Sequence, residues 1–458
     1  MQAEETAVRS LFADPSRSIR AILVRLAWPV VAERLSLSIL SAVDALLVGR
    51  YVGADGVAAV GIGALLFWVP LAGAFGAEVA ATALVGRAVG RGSLAEVERA
   101  ARTAVAAGLA WGVAVALAMA GTAPQLMRLM GAEPEIADLG ARYIRLAALG
   151  LPFLLLLHVA AGVLRGMGNT VWPMAVLLVL NVVNLVVTFG LISGVVGLEL
   201  GVAASGLGYG LAGVTGGVLS LALLARGYGG FRYRPSLRGL LPEGEALRRF
   251  LRLAVPTTLE ELQFMTAFLV YTRIIASAGT TAVAAHTIAL RSLEVAIVPG
   301  FALGTAATAA VGQAMGMERP DLAEAVGRTA RTLSLVVMLA LGGTLGLTAP
   351  WVARLFVAER EVADTAALLL RIFVLAYPIM GMSAALSGVL RGAGDVRYVL
   401  GVMTFTTWCV RIPAAWTLAI GLGLGVPGAW LGAVAENSVR GGLVLLRFHA
   451  GRWKRARA

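Results

Sequence analysis

The strongest constraint on this chain is a repetition inside it. Residues Ala80–Gly90 match Ala306–Gly316, and Gly162–Gly168 match Gly388–Gly394, both at an offset of 226. Arg102 and Arg328, Pro124 and Pro350, and Pro152 and Pro378 keep the same offset. In the first apolar runs the register moves by one: Leu26–Pro29 pairs with Leu253–Pro256 at 227. A register held over so long a stretch is the mark of an internal duplication, so the fold is two copies of one unit.

The content of the unit follows from hydropathy. A spanning helix needs about 20 mainly apolar residues. Twelve runs qualify, near 22–49, 57–85, 101–121, 139–165, 170–194, 200–226, 250–277, 282–311, 327–349, 366–391, 398–421 and 425–448. Hydrophobic residues make up 59% of the 458 and charged residues only 14%, which excludes a soluble multidomain enzyme and a disordered chain. The expected fold is an all-α polytopic membrane protein. Six runs per copy is an even number, so both copies enter the membrane in the same direction. Two six-helix lobes should then be related by a pseudo-two-fold axis along the membrane normal.

Expected boundaries are a cytoplasmic N-terminal segment at 1–21, an N-lobe at 22–226, a cytoplasmic linker at 227–249, a C-lobe at 250–448 and a basic tail at 449–458. The first run is too long for a cleavable signal.

Orientation is read from arginines. They gather before span one (Arg9, Arg17, Arg20) and after span two (Arg87, Arg91, Arg99, Arg102). They recur in the middle gap (Arg232, Arg234, Arg238, Arg248, Arg249), after span eight (Arg319, Arg328, Arg331) and in the tail (Arg452, Lys454, Arg455, Arg457). The alternate gaps are poor in arginine or acidic, as in Glu133, Glu135, Asp138 and Glu359, Glu361, Asp364. The positive-inside bias puts both termini in the cytoplasm of a multi-pass inner-membrane protein. The net charge of +12 is a topology signal, and no nucleic-acid partner is expected.

Several chemistries are excluded. One cysteine, Cys409, rules out an intrachain disulfide and a cysteine-cluster metal site. The three histidines are far apart in sequence and in no zinc-binding spacing. Lys454 is the sole lysine, so there is neither a P-loop nor an intramembrane Schiff base. No nucleophile–base pair suggests an intramembrane enzyme, and no filter-like loop suggests a channel.

The intramembrane polar residues carry what chemistry remains. Asp44 lies inside an apolar helix, where an acid costs about 2.5–3.5 kcal/mol and is functional by default; a carboxyl held by hydroxyls and backbone near the outer interface is the alternative. A carboxyl inside the span, its pKa raised by burial, can take up a proton on one side and release it on the other. Asn181, Asn184 and Thr188 lie in span five, the last two one helical turn apart on one face; interhelical hydrogen bonding is the alternative role for the asparagines. Pro29 should kink span one. Glu33 and Glu260 are repeat partners, each four residues after its proline, and Glu261 follows. Arg25 or Arg34 is available to pair with Glu33. Arg291 and Glu294 are spaced to pair within span eight, as an internal ion pair of the C-lobe. Arg411 needs a partner, with Glu294 and Glu260 as candidates; so do Glu436 and Arg440. Glu78 is expected near the cytoplasmic end or beside an arginine. Arg165 and Arg391 read as helix-end residues with capping glycines, and Trp172 and Trp453 as interface anchors.

The doubled Val-Leu-Arg-Gly-x-Gly-[Asn/Asp] at 163–169 and 389–395, Ala284-Ala285-His286, and Val311-Gly312-Gln313 with Gly316 resemble the multidrug and toxic compound extrusion (MATE) family. Pro29 followed by Asp44 in Ala42–Gly49 looks most like its DinF branch. The resemblance implies export of amphipathic, mostly cationic organic compounds in exchange for H⁺ or Na⁺, with no other cofactor. It also implies bent and straight forms of span one at Pro29, and a cation or drug role for a span-seven glutamate such as Glu260 or Glu261. DinF-like members typically carry Asp where this chain has Thr188. With one carboxylate fewer for Na⁺, H⁺ coupling is favoured. The chain is expected to act as a monomer among membrane lipids. The rival reading is a flippase of the same superfamily moving a lipid-linked saccharide. That cargo wants a strongly basic cavity, whereas here the intramembrane acids match or outnumber the bases.

Overall fold

The computed structural model describes residues 10–14, 16–194, 200–234 and 242–456. Arg9, Arg238 and Arg457 of the orientation argument lie outside the described residues.

The structure is all-helical. The first half runs α1 (Ile19–Tyr51), α2 (Ala54–Leu66), α3 (Trp68–Gly90), α4 (Leu94–Leu129), α5 (Pro134–Ala148), α6 (Leu151–Gly166), α7 (Val171–Ile192) and α8 (Val202–Arg226). The second runs α9 (Gly244–Ala276), α10 (Thr280–Gly316), α11 (Pro320–Phe356), α12 (Arg360–Phe373), α13 (Tyr377–Gly392), α14 (Val396–Phe405), α15 (Ile412–Trp416) and α16 (Gly425–His449). Six of these helical stretches are long and apolar enough to cross a membrane, and eight if two bent pairs each count as one.

All twelve predicted runs are helical, but four are not single α-helices. Span two breaks at Phe67. Span four bends by 50° between α5 and α6, and span ten by 53° between α12 and α13. Pro152 and Pro378 open α6 and α13. A proline supplies no N–H and tolerates only the first turn, so the helix restarts there. Span eleven carries two π-helical runs, Thr406–Arg411 and Thr417–Gly421, on either side of α15.

The chain divides into two compact units, one built on Ala32–Thr258 and the other on Leu11–Val31 with Leu259–Ala458. The boundaries therefore fall inside α1 and α9, each two residues past a proline (Pro29 or Pro256) and 227 residues apart. Ile22, Leu23, Leu26 and Val30 of α1 accordingly belong to the core of the second unit, with Ala306, Ala310, Leu386 and Val389.

Each unit repeats one close helix crossing. In the first, Gly162 and Gly166 of α6 bring backbone against Glu78 and Thr82 of α3. The Thr82 hydroxyl donates to the carbonyls of Glu78 (2.8 Å) and Gly162 (3.2 Å). In the second, Gly388 and Gly392 of α13 meet Gly304 and Thr308 of α10. The Thr308 hydroxyl donates to Gly304 and Gly388, both at 3.0 Å. A Cβ at these glycines would collide with backbone, which accounts for glycine in the doubled motif. Small residues that let helices approach are the usual glue inside membranes.

Trp453 departs from expectation. It is not an interface anchor but is fully buried, stacked on Phe448 at 5.6 Å with its indole N–H on the Phe448 carbonyl.

Candidate functional site

In the first unit Asp44 stands on α1, half-buried. Its carboxyl oxygens accept the hydroxyl of Ser205, on α8, at 3.0 and 3.3 Å. One turn along α8, Gly208 lies against the Thr188 hydroxyl and the Asn184 carbonyl of α7. Asn184 and Thr188 are both buried. So α8 is the element against which the acid and the span-five polar pair are both placed. One turn before Asn184 on α7, Asn181 donates to the Ser36 hydroxyl of α1 at 3.0 Å. Thr188 Oγ1 and Asn181 Oδ1 are buried without partners, leaving acceptor oxygens inside the bundle.

The four predicted coupling residues therefore lie on two helices, α1 and α7, and two of them, Asp44 and Asn181, meet hydroxyl partners not singled out from the sequence. Ser205 and Ser36 are small hydroxyls in runs of small or apolar residues. Nothing in one sequence separates them from the many serines and threonines that bond their own helix, as Thr257 does to Leu253.

A second polar cluster lies in the same unit. Arg165, at the end of α6 and only 3% exposed, donates to Glu33 at 2.6 Å and to Glu78. Glu78 also meets His158 Nδ1 at 2.9 Å. Glu33 is thus held by Arg165, from another helix. Arg34 lies over the Phe75 ring at 5.8 Å. Glu78 sits beside an arginine, as expected. Arg165 does more than end a helix, because it bridges two carboxylates from different helices.

In the second unit Glu260 bonds Arg391, the repeat partner of Arg165. Glu261 is half-buried. Arg291 and Glu294 do pair, at 3.1 Å, but with side chains 64% and 51% exposed, so the pair is not internal. Glu436, 1% exposed, pairs with Arg440 at 3.3 Å and accepts from Thr406 and Asn437. Arg411 pairs with neither Glu294 nor Glu260. Its guanidinium lies over the Tyr271 ring, 4.2 Å from the centroid. Pro29 lies inside an unbroken α1.

What the Asp44 cluster can do is bind and release one small cation. It offers one carboxyl, one hydroxyl donor and buried amide and hydroxyl oxygens, with no nucleophile–base pair.

The MatE family model matches residues 29–189 and 256–417, one segment in each repeat. A probable multidrug resistance protein NorM from Thermotoga maritima is 27% identical over 440 residues, 95% of this chain and 94% of that one. Another from Bradyrhizobium diazoefficiens is 29% identical over 433 residues, 93% and 92% of the two chains. Among solved structures, a crystal structure of MATE in the bent conformation superposes with a TM-score of 0.88 at 24% identity, covering 99% of both chains.

Proposed function

The chain belongs to the MatE family, transporters and not enzymes, and from that premise we propose that it is a secondary antiporter. It exports amphipathic, mostly cationic organic compounds across the cytoplasmic membrane, with both termini on the cytoplasmic side. The names of its relatives support drug-like cargo. The observation that carries the reading is the Asp44 carboxyl, half-buried on the Ser205 hydroxyl beside the span-five polar residues.

The coupling ion in this reading is H⁺. A Na⁺ site built from hard oxygen ligands gains from carboxylate charge. Here Thr188 stands where a second carboxylate would serve. A single carboxyl suffices for a proton: ionised it attracts the cationic compound, and protonated it releases it. This reading assigns the lobe movement to the bends between α5 and α6 and between α12 and α13 and to the prolines in α1 and α9.

The test is dye efflux by purified protein in liposomes under a proton gradient or a sodium gradient, for wild type and Asp44→Asn. Efflux driven by protons and lost in Asp44→Asn is expected. Efflux driven only by sodium would reassign the ion. No dye movement from folded protein under either gradient would overturn the antiporter reading.

A further inference from the structure

The second unit carries a group for which the antiporter reading has no use: Arg411. An arginine inside a span with no carboxylate to pair with is costly to insert and marks function by default. Among the described residues its candidate carboxylates are engaged elsewhere: Glu260 by Arg391, Glu294 by Arg291 and Glu436 by Arg440.

The repeat shows what Arg411 replaces. Asp44 and Tyr271 stand at the same place, each fifteen residues past its proline. In the first unit Gly208 packs on Thr188; in the second Gly432 packs on Ala415. Four residues before Thr188 is Asn184, and four before Ala415 is Arg411. The motif offset of 226 would set Arg411 against Leu185 instead. The π-helical run Thr406–Arg411 takes up one extra residue and turns Arg411 into the asparagine's position. Such bulges occur often at functional sites. Where the first unit has a carboxylate and an amide, the second has a phenol ring with a guanidinium over it.

The surroundings are short of acceptors. The Trp430 indole N–H donates to Nδ1 of His286 at 3.1 Å. An indole nitrogen only donates, so Nδ1 accepts and the imidazole proton is on Nε2. His286 is 3% exposed, and its Nε2 has no partner. Arg411 Nε is likewise buried without a partner. The His286 ring lies 6.0 Å from that of Tyr271 and 6.4 Å from that of Phe268. Arg411 Nε and His286 Nε2–H are thus donors without acceptors, beside the Tyr271 hydroxyl that Arg411 also reaches, and walled by aromatic rings.

We propose that the second unit holds an oxyanion site in which Arg411, seated on Tyr271, and His286 Nε2–H receive the carboxylate of an amphipathic aromatic compound. The cargo then includes zwitterions as well as cations. The inference rests on the export reading for what enters the site, but binding is measurable without any gradient.

The experiment uses two dyes that differ in one group: rhodamine 6G, an ethyl ester, and its hydrolysis product with a free carboxylate. Binding to the purified full-length protein is followed by fluorescence anisotropy. For the free acid, Arg411→Gln should weaken binding about tenfold or more, the loss of a charge-assisted hydrogen bond. Ester binding should be unchanged, and Arg411→Lys should keep part of the acid binding. On wild type, which needs no variant, benzoate should displace the acid dye and not the ester. Equal binding of the acid by wild type and Arg411→Gln, equal loss of both dyes, or indifference of the acid dye to benzoate each overturns the site. Acid binding that needs Arg411 in a protein that moves neither dye leaves the site standing and sinks the export reading. Ester efflux with no acid binding does the reverse.

Discussion

Arg165 of α6 donates to Glu33 of α1 at 2.6 Å and, through its other terminal nitrogen, to Glu78 of α3. One guanidinium thus bridges two carboxylates, whereas its repeat partner Arg391 answers one, Glu260. The difference comes from position 78, because the residue at the same offset in the second copy is Gly304. Breaking a buried pair from one side strands the other charge, at about 3–5 kcal/mol. Arg165→Leu should therefore lower the melting temperature in detergent more than Arg391→Leu. Adding Glu33→Gln and Glu78→Gln to Arg165→Leu should restore part of the loss. Equal destabilisation by the two arginine variants would contradict this reading of the cluster.

Asp44 and Ser205 separate two roles. Asp44→Asn keeps the shape and removes the titrating group, so gradient-driven efflux should be lost with folding intact. Ser205→Ala removes a hydrogen bond to a carboxyl, a contribution of about 1.5–3 kcal/mol when the acceptor is charged. It should slow efflux by about tenfold or more while leaving it proton-driven. Both variants are read in the same liposome assay. Wild-type efflux from Ser205→Ala would show that the hydroxyl does not tune the site.

The architecture was legible because it rests on signals that one sequence contains. Apolar length marks the spans, the ungapped offset marks the duplication, and arginine placement marks the sides. The partners of buried charges were not legible. Glu33 has two arginines within eight residues, Arg25 and Arg34, yet is answered by Arg165, which is 132 residues away. Spacing along one helix lists neighbours only on that helix, and here the choice is made by the α3–α6 glycine crossing that brings the end of α6 inward. The Arg291–Glu294 pair shows the converse. Spacing anticipated the pair, and its exposure depended on packing that spacing does not encode. Likewise Trp453, read as an interface residue from its place in a basic tail, is buried because Gly451 turns the chain back with a φ of 66°.

That folded-back tail should respond to pH. Lys454 bonds Glu324, in the first turns of α11 outside the predicted span, and this hydrogen bond holds the Glu324 carboxyl below its ordinary value of 4.5. A lowered folded value stabilises the fold above the ordinary value, and the effect is lost as pH falls through the lowered one. The pair is near the surface, so its contribution is no more than about 1 kcal/mol. Glu324→Gln should melt slightly below wild type at neutral pH, and the two should converge as the pH drops below the normal carboxylate range. A gap that persists under acid would mean that the carboxylate charge is not what fastens the tail.

The crossing of α7 and α8 gives the sharpest steric test, because two residues share one space. Gly208 lies so close to Thr188 that a Cβ would overlap its hydroxyl oxygen, while the Thr188 Cβ and the Asn184 carbonyl would stand off at 3.3 and 3.2 Å. Gly208→Ala alone should overpack the crossing, at about 1–3 kcal/mol, and should lower both stability and efflux, because it displaces the α7 polar pair from the helix that holds Asp44. Thr188→Ala alone removes a hydroxyl that has no partner and should cost little stability. Combined, the two substitutions remove the overlap, so the double variant should melt above Gly208→Ala. The two effects are coupled, not additive, as expected for residues in contact. Additive destabilisation would place the strain elsewhere. Recovery of stability without recovery of efflux would assign the Thr188 hydroxyl a part in transport itself.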